Sequence, residues 1–439
     1  MPKLFLSGAS AAALILLFTG CENEPTTTTI ESLPGPSLSS SPNQFSNFEP
    51  LAASAACVTP PAVLADFATY QPFVLPTGYQ QSILADEVTD FFPVAGTGAN
   101  LPDMNTLNES GPDAGRFLYR THEVGSNGAV TVLDLVTGIV SLVDQQSHYE
   151  ALDGIAWTPA NTLIFAEERI VASFKDPRVP DAVGGLVYEW NPVTRTTRPL
   201  PAVGARSHEG LRFDAQGNLY GISESNPDGV TLSGAIYKFV PDKRGDLSSG
   251  QLYALKVLDA ATRTGDAVWV PLDRELSQIN SDLAAIQAGA TGWGRPEDIE
   301  ISSASGNLAG GPQLMFITST TEELVLRIEL KGDQAFVSNF IQQGVNVQGL
   351  DNPDNLAIDN QGTLYVIEDN GPGDIWAVRQ AGSVGLVATE VLRFASLSDC
   401  SAEPTGLYFA RDGKTAWVHI QHAGGTLQND LLVELRKAA

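Results

Sequence analysis

The chain has 439 residues, 43% of them hydrophobic and 17% charged, which is ample for one large buried core and too apolar for a disordered chain. Asp and Glu total 51 against 25 Lys and Arg, a formal charge of -26. That charge repels nucleic acid and anionic head groups over long range and leaves cations as the natural small partners, although a solubilising surface accounts for acidity equally well.

The N-terminus reads as an export signal over residues 1–20. Lys3 supplies the positive end, and the apolar run from Ala11 to Phe18 is too short to span a bilayer. It ends in Phe18-Thr19-Gly20-Cys21, which resembles a bacterial lipobox, with Phe18 where Leu is usual. Cleavage there makes Cys21 a lipidated N-terminus, and Glu22 after it directs the protein to the outer membrane or cell surface. The alternative is an ordinary cleaved signal with an incidental cysteine. Residues 21–55 contain Thr26-Thr27-Thr28-Thr29, Pro34-Gly35-Pro36 and Ser39-Ser40-Ser41 and are expected to be a disordered tether. The folded domain is expected over residues 56–439.

That domain contains two more cysteines, Cys57 and Cys400. In an oxidising compartment such a pair favours a disulfide, worth on the order of 4 kcal/mol by chain entropy over so long a loop. Cys400 as a metal ligand beside Glu403 is the other reading.

An internal repeat dominates the domain. Its units begin at Leu152-Asp153-Gly154-Ile155, His208-Glu209-Gly210-Leu211, Pro296-Glu297-Asp298-Ile299, Pro353-Asp354-Asn355-Leu356 and Glu403-Pro404-Thr405-Gly406-Leu407. Each is an acid, a short hydrophobic run, a turn such as Asp214-Ala215-Gln216-Gly217-Asn218, and a second run. Leu356, Ile358, Leu364 and Val366 alternate with period two, as strands do. Blade-sized repeats of this kind predict an all-β fold, a β-propeller of six blades, with residues 75–143 supplying the blade that repeats poorly. One insertion, residues 241–294, includes a predicted amphipathic helix over Asp273–Ala288, either a lid over the channel mouth or a surface excursion.

In a propeller the innermost strand of each blade starts near the central channel, so acids at one phase of the repeat converge. Asp153, Glu209, Glu297, Asp354 and Glu403 are therefore candidate metal ligands, because crowded carboxylates stay ionised only beside a neutralising cation. Oxygen donors select hard ions such as Ca²⁺, Mg²⁺, Mn²⁺ or Fe³⁺.

Several stretches together resemble the PhoX-type alkaline phosphatases: Thr121-His122-Glu123, Thr158-Pro159 with Glu167-Glu168, His208-Glu209, Arg295-Pro296-Glu297-Asp298-Ile299, Pro353-Asp354-Asn355-Leu356-Ala357, Glu403-Pro404-Thr405-Gly406, and Ile420-Gln421-His422. The resemblance implies an exported propeller with an iron and calcium cluster in its channel. It implies Glu168, Glu209, Glu297, Asp354 and Glu403 as ligands and Arg295 as the group that grips a phosphoryl oxygen, for which a salt bridge to a neighbouring acid is the alternative. The family's bridging cysteine position is occupied here by Asp153. A carboxylate there suits a harder, all-oxygen site, so Ca²⁺ is the expected cofactor and iron the less fitting one.

No Gly-x-Ser-x-Gly elbow, phosphate-binding glycine loop or Cys-x-x-Cys pair occurs. Of the five histidines, His122 and His208 precede motif acids, His419 and His422 are expected on the last strand, and all are read as structural groups, with service as an acid or base the alternative. The expected function is a metal-dependent phosphoric ester hydrolase acting on a small-molecule phosphate ester. The chain is expected to be a monomer that touches the membrane only through its lipid anchor. A calcium-dependent lactonase and a non-catalytic, calcium-stabilised propeller are the alternatives.

Overall fold

The structure is a computed structural model that describes residues 44–60, 69–87, 100–170, 175–225, 231–302, 313–425 and 429–438. The export signal, Cys21 and residues 21–43 of the tether lie outside the described residues. Among those described, no helix is long and apolar enough to cross a membrane.

The fold is all-β and propeller-like, built from antiparallel sheets. Strands β1 (Phe73–Val74) and β2 (Tyr79–Asp86) add to sheets made by the far end of the chain. Strands β3 (Pro102–Leu107), β4 (Phe117–His122), β5 (Ala129–Asp134) and β6 (Ile139–Gln145) form one four-stranded sheet; β7 (Leu152–Trp157), β8 (Leu163–Glu167), β9 (Val187–Asn191) and β10 (Thr196–Pro199) form the next. The runs β11 (His208–Phe213), β12 (Leu219–Ser223), β13 (Ile236–Lys243), β14 (Asp246–Val257), β15 (Gly265–Pro271) and β16 (Pro296–Ile301), β17 (Gln313–Ser319), β18 (Leu324–Lys331), β19 (Gln334–Gln342) form one nine-stranded sheet, joined where β15 pairs with β19. Strands β20 (Pro353–Ile358), β21 (Leu364–Glu368), β22 (Asp374–Val378) and β23 (Leu392–Leu397) take β1 at their outer edge. Strands β24 (Glu403–Phe409), β25 (Thr415–Gln421) and β26 (Leu431–Lys437) take β2.

The innermost strands β3, β7, β11, β16, β20 and β24 each lie against the next, and β24 lies against β3, so the ring closes. Consecutive sheets pack face to face, and middle strands such as β21 and β25 are buried throughout. They read as continuous apolar runs, whereas the outer strand β10 is exposed at alternate residues. The core is accordingly divided among the inter-sheet seams. Ile164, Ala166 and Val187 meet Leu211, Tyr237 and Phe239 at one seam, and Leu107, Leu118 and Leu133 meet Trp417 and Leu432 where the first sheet closes on the last. The inner strands approach each other tightly. A Cβ on Gly154 would lie 2.1 Å from Glu209 O, and one on Gly210 would lie 2.0 Å from Asp298 Oδ1, so neither position tolerates a side chain.

Three expectations change. The stretch 44–55 is not a free tether: Phe45 and Phe48 are 1% and 4% exposed among Tyr79, Tyr365, Phe394 and Phe409, and Leu51 N donates to Arg393 O. Burying two phenylalanines contributes roughly 2 kcal/mol each, enough to outweigh the low-complexity composition around them. The poorly repeating sheet is built from residues 102–145, while Tyr79–Asp86 pairs with β26 and closes the last sheet. The single helix over 273–288 is two, α1 (Arg274–Ile279) and α2 (Ser281–Ala288), because Asn280 turns to an extended conformation and caps α2 by accepting from Leu283 N. These helices pack on β14, with Ala284 and Ala285 buried, as a surface excursion. Cys57 and Cys400 form a disulfide that holds the N-terminal stretch against the loop before β24, which removes Cys400 as a metal ligand.

Candidate functional site

Each inner hairpin repeats one local geometry. The first paired residues are Pro102 with His122, Leu152 with Glu167, His208 with Ser223, Pro296 with Ser319, and Pro353 with Glu368. Immediately after that pair the inner strand bulges, and the residue released from the ladder is Asp103, Asp153, Glu209, Glu297 or Asp354. Leu101, Ala151, Arg295 and Asn352, which precede this pair, all hold positive φ, a sharp entry that aims the next residues at the axis. One residue beyond five of the six second strands stands another polar group of the cavity: Glu123, Glu168, Glu224, Asp369 and His422. These two tiers line a cavity of about 590 Å³ at one end of the channel.

All six carboxylates expected from sequence line this cavity, as does Arg295. Glu403 is out of phase with the others: it pairs directly with Gln421, Pro404 takes the equivalent position, and the bulge comes later, between Thr405 and Tyr408. The member truly in phase is Asp103, which sequence reasoning missed although Leu101-Pro102-Asp103-Met104 carries the repeat. Glu123, Glu224 and Asp369 were missed too; their signal was an acid just past the second hydrophobic run of each unit, recognised only at Glu168. None of residues 273–288 lines the cavity.

The carboxylates interact strongly with one another. Glu168, Glu209 and Glu224 each bring one oxygen within 4.8 Å of the other two. Burial pushes Asp153, Glu209, Glu297 and Asp354 well above the usual carboxylate range, and neighbouring acids push them further. The same causes act on Glu123 and raise Glu168 to about 8. Glu403 rises to about 10, through burial and then a hydrogen bond shared with Asp369, and burial lifts Asp103 to about 6. Asp153 and Glu209 hydrogen-bond each other, as carboxyls do when one holds a proton. Asp153 Oδ1 is buried without a hydrogen-bond partner. Ten clustered carboxylates, more than one of them with a buried oxygen that lacks a hydrogen bond, fit hard cations, and no thiolate is among the lining donors.

Against this charge stand two guanidiniums and one imidazole. Arg295 Nε lies 2.9 Å from Glu224 Oε1 and its Nη2 2.9 Å from Glu297 Oε1, with the side chain 39% exposed. Arg169 lies 3.1 Å from Glu123, and His422 Nε2 lies 3.5 Å from Glu403 Oε1. His422 follows β25, with β26 still to come, so the expected placement of His419 and His422 on the last strand is corrected. His122, His208 and His419 are buried and hydrogen-bonded to Thr131, Gly204 and Asn105, as structural histidines are.

A model of the family described as Alkaline phosphatase PhoX matches residues 178–328 and 316–424, together more than half of the chain. Among solved structures, Pseudomonas fluorescens PhoX in complex with vanadate, a transition state analogue, is similar at a TM-score of 0.62 and 16% identity over 89% of this chain and 98% of that one. A putative gluconolactonase matches at a TM-score of 0.46 and 11% identity over 83% and 96% of the two chains. A catalytically inactive virginiamycin B lyase from Staphylococcus aureus with quinupristin matches at a TM-score of 0.42 and 12% identity over 82% and 99% of the two chains. No curated protein matches the chain. With its repeat, its ring of acids and the span of the family match, the chain belongs to the PhoX family of alkaline phosphatases.

Proposed function

We propose that the acid-lined cavity is the active site of a metal-dependent phosphatase that hydrolyses small-molecule phosphate esters. The observation that carries this reading is the convergence of ten carboxylates with Arg295 in one cavity of a chain that belongs to a phosphatase family. Family membership favours it over the lactonase and the non-catalytic propeller. Glu168, Glu209 and Glu224 would hold one cation, with Asp153, Glu297, Asp354 and Glu403 completing the ligand ring. Bound cations supply charge stabilisation at the phosphoryl oxygens. The donor set is all oxygen and imidazole, with Asp153 at the position where the family carries a bridging cysteine, and this supports Ca²⁺ over iron.

The chain's own groups do the remaining work. Arg295 presents planar, forked donors from beside Glu297, suited to hold a phosphoryl oxygen as charge develops on it. Glu224 and Glu297 fix the direction of that guanidinium. His422, with Nε2 3.5 Å from Glu403 Oε1, is the imidazole among the lining groups and can donate or accept a hydrogen bond there.

The ring of inner strands is read as six blades, the nine-stranded sheet counting as two joined through β15, in support of which each inner strand begins its own hairpin. Export with a lipid anchor at Cys21 remains our reading of the N-terminus, and the Cys57–Cys400 disulfide supports an oxidising compartment. The deciding experiment is metal analysis of the purified protein beside turnover of a chromogenic phosphate ester and a lactone. Bound metal with ester hydrolysis is expected; lactone turnover alone, or no turnover with metal bound, would overturn the proposal.

A further inference from the structure

Arg169 stands on the same rim as Arg295. It follows Glu168 just beyond β8, is half exposed, and lies with Nη2 3.1 Å from Glu123 Oε1 and Nε 3.7 Å from Glu168 Oε2. Arg295 engages Glu224 and Glu297 at 2.9 Å each. Because oxygens of Glu168 and Glu224 lie within 4.8 Å of each other and of Glu209, the two guanidiniums flank one carboxylate group, Arg169 from the Glu168 side and Arg295 from the Glu224 side. They are the cavity's Lys and Arg complement among the described residues. Each uses Nε and Nη2 toward its carboxylates, and a guanidinium carries five N–H donors in all. Arg169 is half exposed, so solvent screens its ion pairs and it can be re-aimed toward an anion.

We propose that Arg169 is a specificity-determining residue, a second anion-gripping guanidinium which, with Arg295, holds the doubly charged terminal phosphate and so contributes to telling a monoester from a diester. The inference rests on the phosphatase reading above. A monoester phosphate carries about -1.5 to -2 charge near neutral pH and three terminal oxygens. A diester offers a single charge on two such oxygens, so it satisfies one guanidinium and leaves the second without a matching partner. Bidentate, charge-assisted bonds of this kind are the stronger class of hydrogen bond, and discrimination follows from the difference between one such grip and two.

The test uses the full-length, calcium-loaded protein and its Arg169→Ala and Arg169→Lys variants. For a chromogenic phosphomonoester, Arg169→Ala is expected to raise KM about tenfold with kcat within about twofold, the signature of lost ground-state binding. KM for a phosphodiester should change by less than about twofold, and inorganic phosphate, titrated calorimetrically, should bind about tenfold more weakly. Arg169→Lys should restore part of both effects, because it keeps the charge and loses the fork. Equal KM changes for both esters would overturn the proposal, as would unchanged phosphate binding, or equal defects in both variants together with a fall in Tm. If the wild-type protein hydrolyses neither ester, the phosphatase reading fails by itself and the titration decides: phosphate binding that weakens in Arg169→Ala sustains the anion grip, and binding that is absent or insensitive to Arg169 overturns it.

Discussion

The same inner strands build two different ends of one channel. At the acid end, ten carboxylates face two arginines and one histidine across a cavity of about 590 Å³. At the other end, a cavity of about 480 Å³ is lined by the distal residues of those strands, among them Trp157, Phe213, Ile301 and Phe409. There each acid has its own partner. Arg212 lies 2.8 Å from Glu300, Tyr408 donates to Glu109, and Asp359 accepts from the backbone of Gln361 and Thr363. Matched charges hold a fold together and leave nothing over for a ligand. The acid end leaves most of its carboxylates without a matching cation, which is costly unless a metal enters, and that contrast is why we place the chemistry there.

Removing metal should break the comparison most sharply. Exhaustive chelation is expected to abolish ester hydrolysis and lower Tm, with both restored by Ca²⁺; activity that survives chelation, checked by elemental analysis, would contradict the reading. Next, Glu209→Gln removes a charge from the close trio and should cut kcat/KM by about 100-fold, roughly 3 kcal/mol of transition-state stabilisation. Circular dichroism should be unchanged and metal stoichiometry reduced. At the far end, Arg212→Met leaves Glu300 uncompensated. Because the pair is 16% and 14% exposed, the loss should be about 2 kcal/mol in urea unfolding, below the range for fully buried pairs, while KM and kcat of the folded protein stay as they were. An equal loss of activity would mean that the two ends are coupled.

The smallest effect expected is a pH dependence confined to the metal-free protein. Its clustered acids have folded-state pKa values above the unfolded ones, so the folded state binds more protons and stability falls as pH rises through those values. With Asp103 at about 6, Glu168 at about 8 and Glu403 at about 10, Tm of the chelated protein should decline steadily across that span. Calcium should flatten the decline. A chelated protein that gains stability over the same range would show that the ring is not held close in solution.

Much of this was legible before any coordinates. Repeated acid, hydrophobic run and turn gave the strands, and the hairpin turn at Asp214–Asn218 closes as expected, with Asp214 N donating to Asn218 O and Asp214 Oδ1 accepting from Gln216 N and Asn218 N. Other features escaped because they depend on partners distant in sequence. Phe45 and Phe48 look like part of a low-complexity tether until Phe394 and Tyr365 are placed around them. Asp273–Ala288 has helical spacing throughout, yet Asn280 breaks it and caps the second half.

The ring itself divides in the same way. Sequence alone determined that acids recur at the head of each repeat, since periodicity is a property of the chain and needs no contact to be visible; it found Asp153, Glu209, Glu297 and Asp354 for that reason. Only the tertiary structure decided that Glu123, Glu224, Asp369 and His422 join Glu168 in a second tier that enters the same space, that Asp103 belongs to the first tier, and that Glu403 arrives one residue out of phase. Convergence is set by the bulge after each first hairpin pair and by closure of the ring of inner strands. Both are long-range facts, fixed by packing between sheets.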